Sequence, residues 1–395
     1  MKKVSKRYLL VLNLTVMFAF NMAHPVTPRL ITELSLPSFM FGIFFAFMSV
    51  ATFVSSPIWG NLSDKNGRRR YLIYGICGYG ISQIGFGFSK SIILIVIFRT
   101  LAGAFAASYI TVSMAYITDI TSKKNRIKYL SYYSAFGSIG SSLGSLIGGI
   151  IGSNKYKLTF LFQFAVCLLI SILINLFIGE SIRPPSLSIN KKLNIREGEK
   201  IKVNFNSILG IMIIAVALTS FAITSYNSTI NYYVEAVLNL PPSIIGIVMF
   251  VSGIIGVIMN FFVNPYLAGK FNEKKLFKSV VLFSGVSLIT ASLIENLSIA
   301  IIFIITFLSF ISLIIPIQQS IISKESSKNY GMIMGIQNSS KALGMVMGSL
   351  FSGFIFDFGS KLPFIIAGIT LVSTYFMLIY AKKFKDDEFS DCKNF

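Results

Sequence analysis

The chain has 395 residues, 54% of them hydrophobic, with a mean hydropathy of +0.74 and a formal net charge of +20. A soluble protein does not carry that apolar share in long runs. The basic residues sit at the ends of those runs, which argues against the polyanionic partner that the charge alone would suggest.

A bilayer-crossing helix needs about 20 apolar residues, and twelve such runs nearly exhaust the chain. They are predicted at 8–30, 38–60, 71–90, 92–118, 129–153, 158–179, 207–234, 241–264, 278–294, 297–320, 331–356 and 361–382. The first run starts near Tyr8 and lacks a small-residue cleavage signature, so it is expected to be a span and not a leader. Cys77, Cys167 and Cys392 have no metal or redox spacing, and no metal or other cofactor is expected.

The charges assign a side. The N-terminus and the even-numbered connections hold most of the 35 Lys and Arg. The odd-numbered connections hold only Arg29, Lys90, Lys155, Lys157 and Lys361, and two more, Arg99 and Lys341, fall inside spans. The positive-inside rule then puts both termini in the cytoplasm of a multi-pass plasma-membrane protein, the inner membrane in a bacterium. The polar stretch 180–206 separates six runs from six. The expected fold is all-α: six-helix bundles at 1–180 and 207–384, a cytoplasmic linker at 181–206 and a cytoplasmic tail at 385–395. The linker is expected to be either a solvated connection with the charge sign that topology demands or one whose basic residues also touch anionic lipid headgroups.

The halves echo each other. GNLSD after the second run, with Gly60 and Asp64, is matched by GKFNE after the eighth, with Gly269 and Glu273. Gly140 and Gly144 in the fifth run are matched by Gly344 and Gly348 in the eleventh. Secondary transporters are commonly built from such repeats.

The stretch Gly60-Asn61-Leu62-Ser63-Asp64-Lys65-Asn66-Gly67-Arg68-Arg69-Arg70 follows the pattern Gly-x-Leu-x-Asp-x-x-Gly-Arg-Arg. With it the chain resembles the major facilitator superfamily over essentially its whole length, and most closely its twelve-span drug:proton antiporter branch. Arg99, Gly103 and Ala106 resemble the embedded-arginine motif R-x3-G. Gly140, Gly144, Gly148 and Gly149 resemble the antiporter motif G-x3-G-P-x2-G-G, with Ser145 in place of its proline, so a softer bend is expected there. Pro25-Val26-Thr27-Pro28 is similar to the P-V-L-P segment of drug exporters.

The resemblance implies roles. Gly60 and Gly67 would allow a tight turn and close helix approach. Asp64 would help close the cytoplasmic side, and Arg68 would pair with an acid, for which Asp119 is the candidate. Arg99, about 12 Å deep along its helix, would serve proton coupling or bond backbone carbonyls. The glycines at 140, 144, 148, 149, 344 and 348 would let helices pack closely.

The residues add further candidates. Lys341 lies about 15 Å into its run, on a face shared with Gln337 and Asn338. A charge at that depth is costly unless paired, hydrated or neutral. It points to an anionic or zwitterionic substrate, to a coupling role, or to a local polar contact. His24 and Glu33 are coupling candidates. Asn21, His24, Tyr226 and Asn227 are pocket candidates. No carboxylate is found at mid-depth of any run, which argues against a dedicated exporter of cations.

The leading expectation is a proton-coupled exporter of small amphipathic molecules, monomeric and working by alternating access. Sodium is the other coupling ion considered. An importer or exchanger of an organic anion, sugar or peptide is one alternative, and a lipid flippase on the same fold is another. No phosphate-binding G-x4-G-K-S/T segment and no nucleophile or metal constellation suggests an enzyme.

Overall fold

The computed structural model describes residues 6–121, 126–181, 207–325 and 330–381. Most of the linker and the tail lie outside these residues. Every regular element among them is helical. The first half holds α1 (Lys6–Asn21), α2 (Thr27–Glu33), α3 (Met40–Asn66), α4 (Arg68–Phe88), α5 (Ile92–Ile120), α6 (Arg126–Gly152) and α7 (Tyr156–Phe177). The second half holds α8 (Ile208–Ala236), α9 (Pro242–Ile258), α10 (Asn264–Lys270), α11 (Glu273–Leu293), α12 (Leu297–Glu325), α13 (Tyr330–Phe356) and α14 (Leu362–Tyr380).

Ten helical stretches among the described residues are long and apolar enough to cross a membrane. The first predicted run falls short because it is broken. Pro25 has no amide hydrogen for a continuing helix, and α2 restarts with proline in its first turn, where that loss costs nothing. The terminal carbonyls of α1 are taken up by side chains of other helices. Gln163 Nε2 donates to Ala19 O at 2.7 Å, Tyr79 Oη to Phe20 O at 2.9 Å and Ser145 Oγ to Asn21 O at 3.4 Å. The third run, α4, opens on three arginines and is rich in glycine.

Two further boundaries differ from expectation. The helix of the second run continues through GNLSD and stops only at Gly67, whose φ of 93° belongs to glycine. Gly60 therefore lies inside a helix, where an added Cβ would meet Thr111 Cγ2 at an ordinary 3.6 Å. The eighth run passes through a π-helical segment, Met259–Val263, before α10. Pro265 lies in the first turn of α10, and the wider π turn accommodates its missing donor.

Contacts group the chain into two compact units. One holds the residues up to Leu187 together with Ser228–Val257. The other holds Ser188–Asn227 and the residues from Ile258 onward. The grouping thus passes through α8 and α9. The end of α8 packs on α3 and α9 on α6: Phe41 and Tyr232 stack at 5.0 Å, and the Ser243 amide donates to Ser153 Oγ, just after α6, at 3.1 Å. A Cβ on Gly149 would meet the Pro242 carbonyl oxygen at 2.5 Å.

Within the first unit α3 and α4 pack on α5, α1 on α6, and α4 on α7. Its core includes Leu72, Ile76, Tyr79, Ala102, Ala106 and Tyr109. Helices in lipid gain little from apolar burial, so close packing of small residues carries the association. In α6, Gly140, Gly144 and Gly148 lie directly against the carbonyls of Leu14 and Phe18 of α1 and of Met22 just after it. In the second unit, Gly344 and Gly348 of α13 lie in the same way against Ala217 and Phe221 of α8. The two helix pairs use the same glycine rungs in the same parallel sense, so the sequence repeat is also a packing repeat.

Candidate functional site

A cavity of about 490 Å³ opens in the first unit along α1 and α6. That is enough for a small organic ligand. Asn13 and Asn21 reach it from α1; Ser134, Ser138, Ser141 and Ser142 reach it from α6. Met17, Met114 and Met249 supply its apolar surface. Asn21 Nδ2 donates to Ser141 Oγ at 2.9 Å and to the Met17 carbonyl at 2.8 Å. Asn13 is held by the Tyr133 carbonyl at 2.7 Å and by Tyr109 Oη at 3.3 Å. Among the described residues, neither carboxylates nor amines occur in this wall. It can offer hydrogen bonds and polarisable methionine surface, not a fixed charge.

A charge cluster sits at the α3–α4 turn. The Arg68 side chain is only 7% exposed. Its Nε is 3.1 Å from Asp119 Oδ2, and its Nη1 is 2.5 Å from Asp64 Oδ1 and 2.7 Å from Ser63 Oγ. Asp64 is 61% exposed. Glu180 completes the turn: its carboxylate accepts from the amides of Arg68, at 2.5 Å, and Arg69, at 3.2 Å. These are unsatisfied donors at the start of α4, where a negative group is favoured. Ser181 Oγ also donates to Asp119 Oδ2, at 3.1 Å.

Arg99 is buried in α5, 4.9 Å from the Phe86 ring centroid. Its Nε and Nη2 have no hydrogen-bond partner among the described residues. His24 lies in the break after α1 and stacks on Phe45 at 5.9 Å. Arg29, at the start of α2, pairs with Glu33 and with Glu235 of α8, each at 3.3 Å.

The candidates of the second unit are spread over different depths. Tyr226 is buried between Phe307 and Phe364, with ring centroids at 4.7 and 5.9 Å. Asn227 is exposed. In α13, Gln337 is buried while Asn338 and Lys341 are exposed. Ser340 Oγ donates to the Ile213 carbonyl at 2.7 Å. With the Gly344 contact at Ala217, this places Lys341 level with residues 213–217 of α8. Tyr226 and Asn227 are about 15–20 Å further along that helix at 1.5 Å per residue. They do not form one cluster with Lys341.

Three elements of the site escaped the sequence reading. The serine spacing of α6 was visible at i, i+4 but was overshadowed by the interleaved glycines. Glu180 and Glu235 stood near predicted span ends, where a carboxylate is unremarkable without knowledge of its neighbour.

The Major Facilitator Superfamily profile matches residues 9–307 and 212–391. The chain is 28% identical over 367 residues to multidrug resistance protein 1 of Bacillus subtilis, covering 92% of each chain. It is 23% identical over 376 residues to the quinolone resistance protein NorA of Staphylococcus aureus, covering 94% of this chain and 95% of that one. Among solved structures, a D-xylose-proton symporter superposes with a TM-score of 0.76 at 18% identity, over 96% of this chain and 99% of the other. The repeated helix packing, the motif turn at Gly67 and these matches agree: the chain belongs to the major facilitator superfamily and is a multi-pass membrane protein, a secondary transporter that moves small molecules by alternating access and not an enzyme.

Proposed function

We propose that the chain is a proton-coupled exporter of small amphipathic molecules, built of twelve spans in two six-helix halves at 1–180 and 207–384, with both termini in the cytoplasm of a bacterial cell. The observation that carries this reading is the Asp64–Arg68–Asp119 cluster at the end of the second span. It sits in a chain aligned over nearly its full length with multidrug and quinolone resistance proteins. The cavity beside α1 and α6 adds to it. A wall of amides, hydroxyls and methionines suits ligands that are partly apolar and hydrogen-bonding, and methionine adapts to varied shapes.

No nucleotide-binding segment is present in the sequence, so an ion gradient is the energy source of this reading. Arg99, His24 and Glu33 are its coupling candidates. The test is reconstitution into liposomes loaded with a pH-sensitive dye. Under an imposed gradient, amphipathic compounds of differing charge are expected to evoke proton flux. Substrate movement driven by sodium and indifferent to the proton gradient would overturn the coupling.

A further inference from the structure

We infer that Lys341 is the counter-charge for an anionic group on the transported molecule, an inference that rests on the exporter reading and specifies its substrate class. The lysine lies mid-way along an apolar helix and is exposed. Among the described residues no carboxylate lies within ion-pairing distance of it. An ammonium at such depth is costly unless it meets water, an anion or backbone carbonyls.

The exposure is not that of a lipid-facing side chain. The most exposed apolar residues of α13 are Leu343, Met347 and Phe354, at 66, 62 and 56%. At 100° per residue they lie about 120–160° around the helix from Lys341. The lysine's own face is an interior one. Gly348, about 20° from it, packs on α8, and Ser352 beyond is buried. This face is covered further along the helix and open at the lysine.

The repeat provides an independent argument. The offset that carries Gly140 to Gly344 and Gly144 to Gly348 carries Gly137 to Lys341, Ser134 to Asn338 and Ser141 to Met345. Gly137, Ser134 and Ser141 all line the cavity of the first unit. Lys341 and Asn338 thus occupy the positions of α13 that are equivalent to cavity-wall positions of α6. The α6 position, Gly137, carries no charge; its equivalent on α13 carries a cation. A carboxylate, sulfonate or phosphate on an otherwise apolar molecule would receive charge-assisted hydrogen bonds from the ammonium, with Asn338 one turn away as a further donor.

The test uses a matched pair of probes, an amphipathic aryl carboxylate and its primary amide, with wild type, Lys341→Met and Lys341→Arg in liposomes. Methionine fits an apolar helix, so K341M is expected to insert and fold. Its carboxylate transport should fall about tenfold or more, the worth of one charged hydrogen bond, with amide transport within about twofold and K341R retaining most of the preference. Equal losses for both probes, or none, would overturn the inference. Thermal stabilisation of the purified protein by each probe separates the two readings. Carboxylate stabilisation lost in K341M, without proton-driven transport of either probe, would uphold the anion site and overturn the exporter reading. Transport of the amide with no carboxylate preference in wild type would do the reverse.

Discussion

Arg29 of α2 and Glu235 of α8 form an ion pair, Nη1 to Oε1 at 3.3 Å, although they stand in different halves of the sequence. The Glu235 side chain is only 7% exposed, and its Oε2 has no hydrogen-bond partner among the described residues. A cycle of alternating access separates the two halves at one end and then the other, so this pair is expected to open in each turnover. In a background without Cys77, Cys167 and Cys392, R29C and E235C joined by a short bifunctional thiol reagent should stop transport, and a cleavable reagent should restore it on reduction. Undiminished transport by the cross-linked protein would show that the contact never opens.

The glycine rungs make a prediction with its own control. Alanine at Gly144 or Gly348 drives a methyl group into the carbonyl of Phe18 or Phe221. Each should cost about 1–3 kcal/mol, as overpacking does, and lower the thermal midpoint. Gly256 has nothing within 4 Å of an added Cβ, so G256A should be neutral. Comparable midpoints for all three variants would remove the rungs from the account of stability.

At the motif turn, G67A meets two obstacles: a φ of 93° and the Glu180 carboxylate, whose Oε2 an added Cβ would approach to 2.5 Å. It should destabilise more than E180A. The latter loses only the cap on α4, worth about 1 kcal/mol. Thermal denaturation in detergent ranks the two, and the opposite order would contradict the geometry.

What the sequence made legible follows from what is local. The apolar runs and the basic connections identify spans because a bilayer enforces length and polarity residue by residue. The turn at Gly67 was visible because only glycine takes that φ freely. The extension of α3 to Asn66 was not, because a helix leaving the membrane need not be apolar. Nor was the cavity, since Ser141 is an ordinary helix-packing residue until α1 is seen to present Asn21 beside it. Lys341 stood out by its depth in an apolar run. The side of α13 on which it stands required the packing of Gly344 and Gly348 on α8.

The central claim, proton-coupled transport governed by the charge cluster at the α3–α4 turn, is tested most directly by Asp64→Asn. Asp64 is largely exposed, so its ion pair with Arg68 contributes about 0–1 kcal/mol, and D64N should fold and insert normally. The measurement is substrate-evoked proton flux into liposomes at matched protein content. The account predicts flux in wild type and its near-complete loss in D64N with an unchanged thermal midpoint. Full flux in D64N would contradict it.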